Sequence, residues 1–360
     1  MNKLIIEKDK LIQNIEIIKG LSRSKIIAIL KANGYGLGLL EFAGILQENG
    51  IDFFGVSNIQ DAVRLAKNGF KRVLLLTPTN QEDKALLIVK NKVTATVGSL
   101  TSAIILNDAA LKLNTTADFH LKIDTGFGRF GFLPSEIPQA CTLLKGLENI
   151  RITGTYSHFS FAFSKKTKAV YSQYNAFIDA VNLMRQSGLQ PGMLHICNSS
   201  AFLMYPQMHL DASRIGSAFL GRTIVKNTCG LQKIGYLKST IIECKEIPKN
   251  HNIGYANTYK TRRNTKIGIV PVGYLDGFGL EKARDAFRIR DISSYIYRDI
   301  MMLNKKMYVT ISGKQVRILG KINTHNIIVD ITDIDAKVGD EVLLNINPML
   351  VGPHIEREYV

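Results

Sequence analysis

What most restricts this chain is an alternation repeated along residues 25–220. Short runs rich in β-branched and aromatic residues occur at 25–30, 53–57, 73–77, 94–97, 119–123, 154–158 and 193–197, with a weaker one at 208–210. Between them lie longer segments at 42–46, 61–68, 82–89, 101–111, 135–144 and 171–188, several with apolar residues at helical spacing. Buried strands of this length followed by helices specify a parallel sheet, because a parallel neighbour needs a crossover to bring the chain back. Eight such units in roughly 200 residues predict a (β/α)8 barrel rather than an open doubly wound sheet.

Beyond about residue 235 the texture changes. Segments 236–242, 265–272, 307–311, 316–319, 327–331 and 341–344 are short and β-branched-rich, and turn signals such as Ser312-Gly313-Lys314 and Asp276-Gly277 separate them. Helix is expected only at 281–287 and 294–304. The fold class is therefore α/β + β: an N-terminal (β/α)8 (TIM) barrel over residues 1–230, then a mostly β C-terminal domain over 231–360. With 46% apolar residues there is ample material for both cores.

Forty-six basic against thirty acidic residues leave a net charge of +16, which invites a nucleic-acid partner. The distribution argues against one. Lysines sit beside acids, as in Glu7-Lys8-Asp9-Lys10 and Glu82-Asp83-Lys84, and the densest short basic cluster is Lys260, Arg262 and Arg263. Cys141, Cys197, Cys229 and Cys244 are scattered and form no CxxC pair, so neither a disulfide framework nor a metal site is expected. The N-terminus carries charge where a signal peptide needs apolar residues, and no run approaches the roughly 20 apolar residues of a membrane span. A cytoplasmic protein without a membrane partner is expected.

Several strand ends carry residues that can do chemistry, and a barrel would bring them to one face. Lys31 follows the first barrel run, in a stretch with Gly34, Gly36 and Gly38. A desolvated lysine there can lose its proton and attack an aldehyde; the alternative is a surface lysine after a strand. Lys122, Asp124 and Arg129 surround three glycines. The arginine offers a forked grip for a carboxylate or phosphate, or it pairs with Asp124 to stiffen the loop. His158 reads as a site residue or as a satisfied core histidine. Asn198 and Ser199 read as a helix cap or as a phosphate site near the last strands. Arg214 is expected to follow the last strand.

Taken jointly, these segments resemble the alanine racemase family, over residues 3–345 or so. Lys31-Ala-Asn-x-Tyr-Gly matches the cofactor-lysine motif. The resemblance implies that Lys31 holds pyridoxal 5'-phosphate as a Schiff base and that Tyr35 binds its phosphate. In Lys122-x-Asp-Thr-Gly-x-Gly-Arg129-x-Gly, it implies that Arg129 grips the substrate carboxylate and that Lys122 is a candidate for carbamylation. His158 corresponds to the histidine beside the pyridine ring. Asn198-Ser199, with Arg214-x-Gly216-Ser217 after it, corresponds to the segment for phosphate and pyridine nitrogen, although Ile215 stands where the family usually has proline. Gly254-Tyr255-Ala-x-Thr-Tyr and Val-Gly-Tyr274-x-Asp-Gly match two further tyrosines. Tyr255 would be the catalytic tyrosine donated across a homodimer with shared sites, and Tyr274 a phosphate ligand.

The implied activity is racemisation of L- and D-alanine by an isomerase with two bases, Lys31 and Tyr255, one on each face of the substrate. Three departures bear on the substrate. Asn323-Thr324-His325 replaces a Cys/Ser-Met-Asp segment, leaving Thr324 as the substrate-facing residue. The C-terminal stretch is shortened into residues 347–359, and no arginine occurs at 278–281. These departures favour, as alternatives, a broad-specificity racemase or one for serine or another amino acid. A cofactor-binding regulatory protein without activity is a third reading, against which Lys31 and Tyr255 argue.

Overall fold

The computed structural model describes residues 2–164, 167–281, 288–302 and 306–360. It forms two compact units, residues 8–234 and residues 2–7 with 235–360.

The first unit is the barrel. Its eight parallel strands are β2 (Lys25–Ile29), β3 (Phe53–Val56), β4 (Arg72–Leu75), β5 (Ala95–Val97), β6 (Ala117–Lys122), β7 (Ile150–Tyr156), β8 (Met193–His195) and β9 (Ala212–Ile215). They pair in the order β4-β3-β2-β9-β8-β7-β6-β5, and a parallel bridge from Leu74 to Thr94 closes the ring. Helices follow the strands, among them Ile59–Lys67 and Leu100–Lys112. Asn58 and Ser99 cap these two by accepting the N–H three residues on, which fixes where each helix begins. Ile27, Phe54, Leu74, Val97 and Leu121 are wholly buried on neighbouring strands.

One barrel strand lies elsewhere than expected. Residues 208–210 are not a strand: Pro206–Met208 is a 3-10 turn and Leu210 takes a left-handed φ of 54°. A residue at that φ cannot lie in a ladder, so the last strand begins at Ala212. Arg214 is therefore inside the last strand, not after it.

In the second unit the strands are β1 (Lys3–Ile6), β10 (Tyr236–Thr240), β11 (Glu243–Ile247), β12 (Asn252–Ile253), β13 (Tyr259–Lys260), β14 (Thr265–Val270), β15 (Tyr308–Ile311), β16 (Lys314–Leu319), β17 (Ile327–Asp330), β18 (Glu341–Asn345) and β19 (Glu356–Tyr359). Nine of them form one sheet, ordered β11-β14-β17-β16-β15-β18-β10-β1-β19. Ile247, Ile253, Ile267 and Leu319 pack together in its core. The two end strands, Glu-Cys-Lys-Glu-Ile and Glu-Arg-Glu-Tyr, carry no strong strand signal. Their charge suits an edge, where it discourages pairing with another chain. A helix runs over Ile289–Met302, five residues earlier in its start than expected. The helix expected at 281–287 lies, after its first residue, outside the described residues.

Candidate active site

A cavity of about 460 Å³ opens where the barrel strands end. It is lined by Lys31 and Tyr35 from the end of β2, Lys122 and Arg129 from the end of β6 and His158 from the end of β7, and by Asn198, Ser199, Arg214, Gly216 and Ser217 from the ends of β8 and β9.

Lys31 follows β2 and stands exposed at the mouth. The chain after it makes a left-handed turn: Ala32, Asn33, Gly34 and Tyr35 have φ of 53°, 53°, 63° and 55°. Only glycine takes this conformation freely, so three of the four residues are strained, at roughly 1–2 kcal/mol each. The Leu39 N–H donates to the Asn33 side chain at 3.0 Å and helps hold the turn. Tyr35 is thereby tucked inward, with its ring 5.6 Å from the Lys31 ammonium, and burial pushes its phenol up to about 12. Its hydroxyl rests against Gly216, where an added Cβ would lie 2.3 Å away. Ser199 accepts the Gly216 N–H at 3.1 Å, and Asn198 caps the next helix by accepting the Ala201 N–H at 3.0 Å.

Arg214 is buried and meets neutral acceptors. Its Nη1 donates to His195 Nδ1 at 2.7 Å and to the His195 carbonyl at 3.2 Å. Its Nη2 donates to the Ser157 and Ile196 carbonyls at 2.7 and 3.1 Å and to His158 Nδ1 at 3.1 Å. Burial lowers the guanidinium to about 10, so it stays charged at neutral pH. Burial, then the charge of Arg214, holds His158 well below the usual histidine range, so its ring is neutral.

The glycine-rich loop after β6 is built around Asp124. Its carboxylate accepts backbone N–H groups of Gly126, Phe127, Gly128 and Arg129 at 2.8–3.1 Å. Burial pushes this carboxyl up, but the four N–H groups together outweigh it and hold it below the usual carboxylate range. The Arg129 guanidinium stacks on Phe127 and Phe130, with centroids at 4.5 and 5.6 Å. Lys122 is buried, its amine 4.5 Å from the Tyr156 ring centroid. Burial, then Arg214 and Arg129, lower it well below the usual lysine range.

Three candidates belong to the second unit. Tyr255 is 73% exposed, beside left-handed Ala256 and Asn257. Tyr274 and Thr324 share a hydroxyl–hydroxyl hydrogen bond of 2.5 Å. The backbone N–H groups of Tyr274 and Leu275 donate to the carbonyls of Asn323 and Thr324, which seats the altered segment against the tyrosine.

Sequence reasoning missed His120, Tyr156 and His195, which back the cavity behind Arg214. The available signal was a histidine within an apolar strand run, where a buried polar ring needs a partner. Among the described residues no group of three His, Cys, Asp or Glu side chains could hold a metal. Nor is any helix among them long and apolar enough to cross a membrane. The cavity suits a phosphorylated pyridine aldehyde. It has an amine at the rim, backbone and hydroxyl donors at one end with room only for glycine at 216, and a buried cation that hydrogen-bonds to histidine nitrogens and backbone carbonyls.

A lysine-bearing barrel with a separate β unit is the architecture of the barrel-type pyridoxal-phosphate proteins that the sequence resembles. The match is specific: the chain belongs to the alanine racemase family. The domain described as "Alanine racemase, N-terminal domain" matches residues 6–223, and "Alanine racemase, C-terminal domain" matches residues 234–350. Alanine racemase 1 of Clostridium acetobutylicum is 31% identical over 94% of this chain and 84% of its own length. The alanine racemase of Clostridium novyi is 33% identical with the same coverage. The solved alanine racemase of Clostridium difficile 630 superposes with a TM-score of 0.87 at 29% identity, covering 100% of this chain and 95% of that one.

Proposed function

We propose that this enzyme is a pyridoxal-phosphate-dependent racemase of a small amino acid, with alanine as its first substrate. The observation that carries the reading is the convergence of Lys31, His158, Arg214 and the Ser199–Gly216 contact on one cavity. When bound, pyridoxal phosphate acidifies the substrate Cα–H by drawing charge into its ring. Tyr35, Asn198, Ser199, Gly216, Ser217 and Tyr274 would hold its phosphate end. Arg129 would grip the substrate carboxylate, joined by the backbone N–H of Thr324. Lys31 Nζ would move the proton at one face of Cα, and the Tyr255 hydroxyl of a second copy would move it at the other. That division requires a homodimer with shared sites. Arg214, an obligate donor that keeps its protons, would donate to the ring nitrogen and leave it unprotonated. Lys122, an amine that burial shifts toward its neutral form, suits carbamylation: carbon dioxide would add at Nζ, an N–C bond would form and one proton would leave, giving an anion that the charges of Arg214 and Arg129 favour.

A second reading, turnover of serine or a broader set, is favoured by Asn323-Thr324-His325, which offers a hydroxyl and an imidazole where the family has methionine and aspartate. A D/L exchange screen over the amino acids tests both readings. Alanine should be turned over, and Lys31→Ala should lose both turnover and the visible absorbance of the lysine-bound cofactor. Full activity in Lys31→Ala would refute the mechanism.

A further inference from the structure

Behind Arg214 stand two histidines in a row, and the second, His120, is not among the residues that line the cavity. We propose that His120 is a positioning residue: by accepting from His195, it fixes which ring nitrogen of His195 carries the proton, leaves Nδ1 bare toward Arg214, and so holds the guanidinium in place. The inference rests on the reading of Arg214 as the partner of the cofactor's ring nitrogen.

Hydrogen-bond direction carries the argument. Arginine has donors only. Its Nη1 lies 2.7 Å from His195 Nδ1, so that nitrogen must present its lone pair and the ring proton must sit on Nε2. His195 Nε2 lies 2.8 Å from His120 Nδ1, so His195 donates and His120 accepts. His120 then carries its own proton on Nε2. The row runs one way, from Arg214 to His195 to His120. Adding a proton to His195 Nδ1 would set N–H against N–H among buried groups. Burial and the charge of Arg214 lower both histidines, His120 to about 3.

The rings are held so that tautomer, not rotation, is the free variable. Tyr156 stacks on His195 with centroids 4.8 Å apart and planes 5° from parallel. Its hydroxyl is anchored at 2.9 Å to Thr96 Oγ1 and at 3.2 Å to the Leu76 carbonyl. Phe53 meets His120 edge-on at 5.9 Å. Space for the His120 ring exists because residue 154 is glycine: a Cβ there would lie 2.6 Å from the ring. Removing the His120 acceptor would strand the His195 Nε2–H inside the barrel without a partner, which is unfavourable for a buried donor. The escape from that cost is the other tautomer, which turns an N–H toward Arg214 and displaces it.

The test is 15N spectroscopy of histidine-labelled holoenzyme together with steady-state kinetics. In the wild-type protein His195 should be protonated on Nε2 and bare on Nδ1, unchanged from about pH 5 to 8. His120→Leu should give mixed His195 tautomers and a kcat lower by about tenfold, with KM nearly unchanged. His120→Asn, which keeps an acceptor where Nδ1 stood, should restore the tautomer and most of kcat. A wild-type His195 protonated on Nδ1 overturns the proposal. So does a His120→Leu protein with unchanged nitrogen signals and kcat, or a His120→Asn protein as impaired as His120→Leu. If His120→Leu does not fold, the wild-type spectrum and His120→Asn decide. A protein inactive on every amino acid would sink the racemase reading alone, because the nitrogen signals report the row without turnover.

Discussion

Three neutral histidines inside one barrel make the folded state sensitive to mild acid. His120 is lowered to about 3, and His158 and His195 well below the usual range, in each case first by burial and then by Arg214. Unfolded histidine titrates near 6.5. Between the folded and unfolded values, the unfolded chain binds a proton at each site that the folded chain refuses. Stability is therefore fully present above about pH 6.5 and is lost as pH falls below it. From about pH 7.5 to about pH 5.5 each group removes about 1.4 kcal/mol, and the three together about 4 kcal/mol. That is a large part of the roughly 5–15 kcal/mol that stabilises a typical domain. Lys122, also lowered by burial, acts in the same direction, and Asp124 enters only at lower pH. Urea unfolding at fixed protein concentration, followed at several pH values across this interval, measures the loss. His120→Asn removes one titrating group and should reduce the loss by about 1.4 kcal/mol. A total loss below about 1 kcal/mol, or a loss untouched by His120→Asn, would refute the picture of three buried neutral rings.

Gly216→Ala would set a methyl 2.3 Å from the Tyr35 hydroxyl, displacing the ring. It should lower stability by about 1–3 kcal/mol and weaken cofactor retention, read by thermal unfolding and cofactor titration. Mixing inactive Lys31→Ala with inactive Tyr255→Phe chains should restore some activity, since a mixed dimer holds one site with both groups. Subunit exchange seen by mass spectrometry without returning activity counts against sites shared between copies. Serine or another small polar amino acid should fall within about 100-fold of alanine in kcat/KM, because an apolar pocket discriminates small groups by only about 1–3 kcal/mol. A preference for alanine above about 10⁴-fold over all others would show that the altered segment at 323–325 is compensated elsewhere.

Barrel and β domain were legible in the chain because strand and helix periodicity are local, and seven of the eight barrel strands were placed by it. The eighth was misplaced because Met208, His209 and Leu210 look like a strand until the left-handed Leu210 breaks it. Edge strands at 243–247 and 356–359 were missed because their charges suit an edge and hide the apolar pattern. Lys31, Arg129, His158 and Arg214, which line one cavity, were singled out through spaced motifs and strand ends. The left-handed turn behind Lys31, the stacking of Arg129 on Phe127 and Phe130, and the row from Arg214 through His195 to His120 were not. Each depends on which groups meet across strands far apart in sequence. Sequence spacing fixes what a residue's neighbours along one strand are, but closure of the barrel decides which donor faces which lone pair, and there the direction of every proton in the row is set.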